Sequence, residues 1–294
     1  MQKILTDEKL NQLMDTEGYL VLKLKQPNLS ASICQVFEKY KSDCHFSSGF
    51  HSTHFSNNVQ YKKEVFNLAL KIFDENFKAL FNGYKVLFSN LMVKLPSTSN
   101  IVPVHADWVY LDEKRHTAIS LWIPVVNTSN RNDVLGVIPK SHLIYDEFRG
   151  PNIISPLRKY DEIIMNHYGK SLPISPSEAI VYNLKLQHYS RPNTSNDTRI
   201  AINITIIPQD AEVIHYFQSN QVINKYRHLD ETFFFNYHNH HIPEGRMPDE
   251  IFQKAIQMSE SEIIEFYKLD HLHDKKENSL LDKLKHYLKN DNYS

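Results

Sequence analysis

The first third of the chain carries apolar residues at helical spacing. From Lys62 to Phe81 they recur every three or four positions, which predicts one helix whose apolar stripe packs on a sheet. An earlier helix is predicted to be capped by Thr6 and to end at Gly18. The stripe of the longer helix consists of Val65, Phe66, Ala69, Ile72, Phe73, Phe77 and Leu80.

From Tyr84 onwards the pattern changes to short segments rich in β-branched and aromatic residues, separated by Pro, Asn, Ser and Asp. Several of them alternate between apolar and polar positions, as half-buried strands do. Many short strands without intervening helices predict a mainly β fold, a barrel or a jelly roll, with flanking helices. The predicted strands are Tyr84–Leu95, Thr117–Val126, Val134–Ile138, Ala179–Asn183, Arg199–Ile207 and Val213–Phe217.

After Pro248 the spacing becomes helical again, and residues 270–294 are predicted to form a charged peripheral helix or a frayed tail. No internal repeat or low-complexity linker divides the chain. We therefore expect one domain over residues 1–294, with a helical part (1–83), a jelly-roll core (84–218) and a largely helical extension (219–294). The helical positions after Pro248 are Ile251, Phe252, Ala255, Ile256, Ile263, Ile264 and Tyr267.

Charge and cysteine content narrow the possible partners. The 33 Lys and Arg against 34 Asp and Glu give a net charge of −1, which argues against nucleic acid or an anionic membrane as partner. Cys34 and Cys44 form neither a disulfide framework nor a zinc motif, so a cytoplasmic location is expected. No signal peptide and no apolar run of membrane-spanning length is found, and a monomer and a homodimer are both compatible with the composition.

Histidine is abundant, and its 16 copies make chance motifs common. Two His-x-Asp pairs occur, His105-Ala106-Asp107 and His228-Leu229-Asp230, and spacing alone does not choose between them. In an extended segment the two side chains of such a pair leave the same face, so they can share a metal ion.

A third ligand is available to the first pair. His188 follows the predicted strand Ala179–Asn183, close to the next strand at Arg199. Two imidazoles and one carboxylate leave three adjacent positions open, which suits Fe(II) holding a bidentate co-substrate together with O₂. The pair at His228 has no strand-borne His and Arg downstream, so we interpret it as surface polarity.

Arg199 opens a strand that should be buried, and a buried guanidinium requires an anionic partner. Its fork can make two parallel bonds to a carboxylate. The far carboxylate of 2-oxoglutarate is the partner that we expect, with the Ser190 hydroxyl as a further donor.

In four segments the chain resembles the phytanoyl-CoA dioxygenase family of Fe(II)- and 2-oxoglutarate-dependent oxygenases. Together with Arg199 they span about 100 residues, in the family's order and roughly its spacing. The four segments are Val102–Trp108, Ile119–Pro124, Val137–His142 and His188–Asn193.

The resemblance implies a double-stranded β-helix core, iron on His105, Asp107 and His188, and 2-oxoglutarate held by Arg199 and Ser190. Four further residues are expected at the co-substrate, namely Trp122, Asn90, Met92 and Lys94. The chain departs from the family at two turns. Lys140 and Asp133 stand where the family usually has glycine, which concerns the turn shape and not the ligands.

The family's halogenases replace the carboxylate ligand by a small residue, so Asp107 favours oxygen chemistry over halide transfer. The implied activity is hydroxylation of an unactivated C–H bond in a small-molecule or carrier-bound metabolite, with release of succinate and CO₂. Desaturation, epimerisation and cyclisation remain open. A non-catalytic jelly-roll binding protein is the remaining alternative, against which the intact ligand set argues.

Trp108 and Tyr110 follow the metal-binding segment and are expected either to line the substrate pocket or to pack in the core. His142 belongs to a turn motif and is expected to be structural. The cluster His238, His240 and His241 could bind a transition metal, but a solvated loop is preferred.

Overall fold

The fold is taken from a computed structural model, which describes residues 3–143, 148–155, 158–220, 222–228, 232–236 and 247–253. The chain separates into two compact units, residues 1–255 and 256–294, and every described residue lies in the first. The expectation of a single domain over all 294 residues therefore stays a prediction.

Helices and strands alternate in the first third of the chain, and strands dominate afterwards. The described helices are α1 (Glu8–Glu17), α2 (Ser30–Lys39), α3 (Val59–Asn76), α4 (Asp161–His167) and α5 (Thr232–Asn236). The strands up to the middle of the chain are β1 (Tyr19–Lys23), β2 (Phe50–Ser52), β3 (Tyr84–Lys94), β4 (Val102–His105), β5 (Ile119–Pro124) and β6 (Leu135–Val137). The later strands are β7 (Lys170–Ser171), β8 (Glu178–Asn183), β9 (His188–Ser190), β10 (Arg199–Pro208), β11 (Val213–Ser219), β12 (Val222–His228) and β13 (Glu250–Gln253). None of the described helices combines the length and apolar character that a membrane crossing needs.

A six-stranded antiparallel sheet forms the main layer, in the order β1-β8-β5-β10-β3-β2. Side chains alternate across it, so residues such as Leu91, Leu121 and Ile202 point to one face and pack against α2 and α3. Residues of the opposite face, such as Trp122 and Tyr182, point inward. This inner face carries the polar residues of the site.

A four-stranded sheet, β4-β9-β6-β7, covers the inner face of the main sheet. Leu135 and Val137 of β6 share an apolar cluster with Trp122, Ile180 and Tyr182 of the main sheet. Two antiparallel sheets packed face to face in this way make the jelly roll, so the predicted fold class is confirmed. Strands β11, β12 and β13 form a separate three-stranded sheet.

The predicted strands are all present in the structure, with ends shifted by one or two residues. The predicted stripe helix is α3, where Val65, Ala69 and Ile72 are fully buried, but it ends at Asn76 instead of Phe81. Helix α1 ends at Gly18, as predicted, with φ of 80°. The predicted cap at Thr6 is wrong, because the carboxylate of Asp7 accepts from the backbone N–H groups of the first turn.

Two of the boundary predictions are wrong in part. Residues 1–83 contain strands β1 and β2, which extend the main sheet at both edges. Ile251 and Phe252 lie in strand β13 instead of a helix, because the ladder with β12 places Phe252 opposite Ile223. The other predicted helical positions, from Ala255 onwards, lie outside the described residues.

Candidate metal centre

His105 and His188 meet across two short strands of the smaller sheet. β4 and β9 pair antiparallel, with His105 directly opposite His188. The ring centroids are 4.3 Å apart, so both imidazoles project from the same face of the sheet. The strand pairing therefore joins two residues that are far apart in sequence.

Asp107 lies just beyond the end of β4 and is held by the main chain. Its backbone N–H donates to the carbonyl of Leu184 at 3.1 Å. One carboxylate oxygen lies 3.7 Å from Nε2 of His188, and the other accepts from the Tyr182 hydroxyl at 3.2 Å. One ligand atom each from Asp107 and the two histidines lie within 4.8 Å of one another.

The hydrogen bonds of the two imidazoles leave Nε2 for a metal. Nδ1 of His105 lies 2.8 Å from the carbonyl of Pro103, and Nδ1 of His188 lies 3.0 Å from that of Leu186. A carbonyl can only accept, so each ring carries its proton on Nδ1 and presents the Nε2 lone pair. Burial of the imidazole lowers the pKa of His105 to about 4, and the neighbouring His188 adds to this shift. The ring is therefore neutral.

The donor set of this cluster suits Fe(II). Imidazole nitrogens and a carboxylate oxygen are ligands that non-haem iron accepts, and three ligands on one face leave positions for other molecules. The fit rests on the free Nε2 atoms and on the short separations within the cluster. The other His-x-Asp pair cannot be compared, because Asp230 and the cluster His238, His240 and His241 lie outside the described residues.

Arg199 begins β10 and is buried, as expected, but its partner in the structure is a residue that the sequence did not suggest. Its Nη2 donates to the carboxylate of Asp133. The guanidinium carbon lies 5.5 Å from the ring centroid of Trp122, which is also buried. Nε of Arg199 is buried and makes no hydrogen bond within the described residues.

Lys94 and Ser190 lie at the same place. The Lys94 ammonium donates to the Ser190 hydroxyl at 2.7 Å and to the carbonyl of Arg191 at 2.9 Å, and it lies 3.0 Å from Asp133. Burial lowers the pKa of Lys94 to about 8, with Arg199 contributing and Asp133 opposing the shift. The structure thus brings Lys94, Arg199 and Ser190 together around Asp133, while their role in binding the co-substrate stays a prediction.

Both turns that depart from the family's glycine keep the backbone conformation that favours glycine. Asp133 has φ of 69° and Lys140 has φ of 67°, in the left-handed region. Aspartate tolerates this region better than most residues. His142 packs in the second of these turns, where its ring nitrogen lies 3.1 Å from the carbonyl of Asp15, in agreement with a structural role.

Asn90 and Met92 lie on β3 on the same face as Lys94. Met92 packs beside Trp122, and its carbonyl is 3.5 Å from the Arg199 guanidinium. Asn90 is buried opposite Asn203, which accepts from the Ser120 hydroxyl at 2.6 Å. These polar groups continue along the inner face towards Tyr182, the partner of Asp107.

Trp108 and Tyr110 lie in an aromatic cluster beyond the metal centre. The Trp108 ring lies 5.0 Å from His54, and Tyr110 lies 4.9 Å from Phe88. A small recess adjoins this cluster. Its wall includes Asn90, Thr53, His54, Phe66, Phe88 and Phe234.

Arg149 and Tyr182 support Asp107, and neither was selected from the sequence. Nε of Arg149 donates to the carbonyl of Asp107 at 2.6 Å, while its Nη2 lies 2.5 Å from Glu113. Tyr182 occupies an inward position of the predicted strand Ala179–Asn183, so alternation could have selected it. Arg149 lies outside any predicted strand and gave no such signal.

Comparison with protein families places the chain in one of them. The family model for phytanoyl-CoA dioxygenase (PhyH) matches residues 18–201, more than half of the chain. No curated protein sequence matches the chain.

Solved structures share the fold at low identity. The non-haem α-ketoglutarate-dependent carbocyclase SnoK from nogalamycin biosynthesis is 17% identical, with a TM-score of 0.50 over 70% of this chain and 86% of SnoK. The epimerase SnoN, in complex with Fe³⁺, α-ketoglutarate and nogalamycin RO, is 12% identical, with a TM-score of 0.51 over 85% of this chain and 95% of SnoN. The family match, on a jelly roll with a His-Asp-His cluster, shows that the chain belongs to the phytanoyl-CoA dioxygenase family of Fe(II)- and 2-oxoglutarate-dependent oxygenases.

Proposed function

We propose that this oxygenase holds Fe(II) on His105, Asp107 and His188 and hydroxylates an unactivated C–H bond of a small-molecule or carrier-bound metabolite, releasing succinate and CO₂. The observation that carries the assignment is the ligand cluster itself, in which both imidazoles present Nε2 beside one carboxylate. When bound, Fe(II) supplies the activation of O₂ with 2-oxoglutarate as reductant.

The chain's own residues hold and orient the reacting groups. Tyr182 and the main chain at Leu184 fix Asp107. Arg199 and Ser190 are proposed to bind the far carboxylate of 2-oxoglutarate, with Trp122 below the guanidinium. Arg199 suits this role because its buried Nε makes no hydrogen bond within the described residues, and its Nη1 makes only a long contact to the carbonyl of Met92. Both groups can donate to a planar carboxylate while Nη2 donates to Asp133.

The opposite end of the inner face is proposed to receive the substrate. The recess beside Asn90 and Phe88 has aromatic walls, and the neighbouring Trp108 follows the metal ligand Asp107. Apolar walls exclude water from a reactive centre. The balanced charge supports a small molecule over nucleic acid or a membrane surface, and the free thiols Cys34 and Cys44 support a cytoplasmic location.

Desaturation, epimerisation and cyclisation use the same cofactors, and they are the second candidate outcome. The two similar structures are described as a carbocyclase and an epimerase, so this fold accommodates both reactions. The outcome depends on the pose of the substrate relative to the metal. A product 16 mass units heavier indicates hydroxylation, and one 2 units lighter indicates desaturation or ring closure, by elementary stoichiometry.

Succinate release tests the proposal. Purified protein supplied with Fe(II), ascorbate and 2-oxoglutarate is expected to form succinate, in a screen of amino acids, acyl derivatives and natural-product intermediates. Asp107→Ala should abolish succinate release, because the proposed ligand set loses its carboxylate. Asp210→Ala, an exposed carboxylate removed elsewhere, should leave it unchanged.

Two outcomes would contradict the proposal. One is wild-type protein that binds neither Fe(II) nor 2-oxoglutarate at millimolar concentration. The other is an Asp107→Ala variant that releases succinate at the wild-type rate.

A further inference from the structure

The far end of the inner face contains a cluster of three buried charges, which we call the charge triad: Lys94, Asp133 and Arg199. The side chains of Lys94 and Asp133 are fully buried, and that of Arg199 is 3% exposed. Two cations and one carboxylate sum to +2 − 1 = +1. An uncompensated buried charge is costly, so the triad is one carboxylate short of neutrality.

The donors of the triad show which cation is available for that carboxylate. An ammonium has three N–H donors, and Lys94 directs them to Ser190, Arg191 and Asp133. Arg199 has five, yet it makes one bond to Asp133 and a long 3.5 Å contact to the carbonyl of Met92. Its Nε makes no hydrogen bond within the described part of the chain. The missing anion therefore belongs to Arg199, while Lys94 is occupied by the protein.

The conformation of Asp133 indicates that its carboxylate is needed at this place. The residue adopts φ of 69°, in the left-handed region that few residues other than glycine adopt. Its backbone directs the carboxylate to both cations, and Oδ1 remains without a hydrogen bond in the described structure. An uncommon backbone conformation at a buried charged residue is an outlier that points to a function.

We infer that Asp133 is a positioning residue that neutralises Lys94, so that the triad keeps a net charge of +1 and Arg199 accepts one carboxylate. The inference rests on the proposed function, in which that carboxylate is the far end of 2-oxoglutarate. Asp133 and the co-substrate carboxylate together balance Lys94 and Arg199. Lys94 and Asp133 therefore act as one unit, and either change is compensated by the other.

Calorimetric titration of Mn(II)-loaded protein with two acids, 2-oxoglutarate and 2-oxopentanoate, tests this inference. 2-Oxopentanoate matches 2-oxoglutarate in length but lacks the far carboxylate. Lys94→Met should weaken 2-oxoglutarate binding at least about tenfold, the usual size of a lost charged interaction. The double variant Lys94→Met/Asp133→Asn should return to within about threefold of wild type, because Arg199 alone again gives +1. Binding of 2-oxopentanoate should change less than about threefold throughout.

Two further measurements serve as controls. Neither requires enzyme activity, and together they keep the test valid if one variant fails to fold. Lys85→Met removes an exposed lysine from the same strand and should leave both affinities unchanged. Asp133→Asn alone buries two cations without a counter-ion, so its denaturation midpoint should lie below that of the double variant. An Asp133→Asn chain that does not fold beside a double variant that does fold also supports the pairing.

Other outcomes overturn the inference. A double variant as weak as Lys94→Met shows that Lys94 binds the co-substrate directly. A loss of 2-oxopentanoate binding parallel to that of 2-oxoglutarate shows a merely structural role. These results leave the proposed function intact, whereas a wild type that binds neither acid overturns both.

Discussion

The hydrogen bond between Tyr182 and Asp107 shows how single residues set the properties of the metal centre. The phenol is fully buried, and at 3.2 Å it restrains one oxygen of the carboxylate. The other oxygen remains directed to His188 and to the proposed metal. Burial, and then the negative Asp107, raise the pKa of Tyr182, so that the phenol keeps its proton and donates.

Tyr182→Phe is therefore expected to weaken metal binding without changing the ligands. Loss of an outer hydrogen bond to a ligand typically costs about 10- to 100-fold in affinity. Calorimetric titration with Mn(II) measures this. Tyr84→Phe is the matched control, because it removes a buried phenol that donates to the carbonyl of Thr117 at 2.9 Å on the same sheet. Equal affinities of the two variants would show that Tyr182 does not position Asp107.

Lys94 predicts a pH dependence of co-substrate binding. Its pKa of about 8 means that the ammonium is charged at pH 7 and loses its charge as the pH rises through 8. The triad then falls from +1 to 0, and a bound carboxylate is no longer balanced. We expect the affinity for 2-oxoglutarate to fall from pH 7 to pH 9 in calorimetric titrations. A profile as flat as that of Lys94→Met/Asp133→Asn would refute this role of Lys94.

At the scale of elements, the pairing of β4 with β9 makes the site. The sequence predicted which residues could be ligands, because His105 and Asp107 alternate in an extended segment and His188 follows a strand. It also predicted the main strands, since alternation survives in segments such as Tyr84–Leu95. The register that places His105 opposite His188 depends on contacts between distant segments, so no local pattern could supply it.

The sequence did not predict Asp133 as the partner of Arg199, for a similar physical reason. Burial of an arginine demands an anion, but the sequence does not say whether the anion is a ligand or a side chain. Asp133 lies in a polar turn, Asn127–Val134, where aspartate is ordinary. Only the fold directs its carboxylate inward to Lys94 and Arg199.

Gly136 provides a test of the smaller sheet. It lies opposite Tyr189 of β9, and a Cβ placed there would be 2.3 Å from the Tyr189 ring. Gly136→Ala should lower the free energy of unfolding by about 1 to 3 kcal/mol, measured by urea denaturation. In a Tyr189→Ala background the same substitution should leave the free energy of unfolding almost unchanged. A cost that is equal in both backgrounds would contradict the close packing of β6 on β9.

The molecule as a whole arranges charge and aromatic surface at opposite ends of one inner face. The charge triad lies where β3 ends and β10 begins, and the aromatic cluster of Trp108 and Tyr110 adjoins the other part of β3. The ligand cluster lies on the smaller sheet that covers this face. We propose that this polarity orients 2-oxoglutarate from one side and leaves the other side for the substrate.

Anomalous scattering at the iron edge tests the central claim most directly, using crystals grown without oxygen in Fe(II) and 2-oxoglutarate. The account predicts one strong peak within bonding distance of Nε2 of His105, Nε2 of His188 and a carboxylate oxygen of Asp107. It also predicts the far carboxylate of 2-oxoglutarate against Arg199. Iron bound at other residues, or no peak at these three in iron-loaded crystals, would contradict the account.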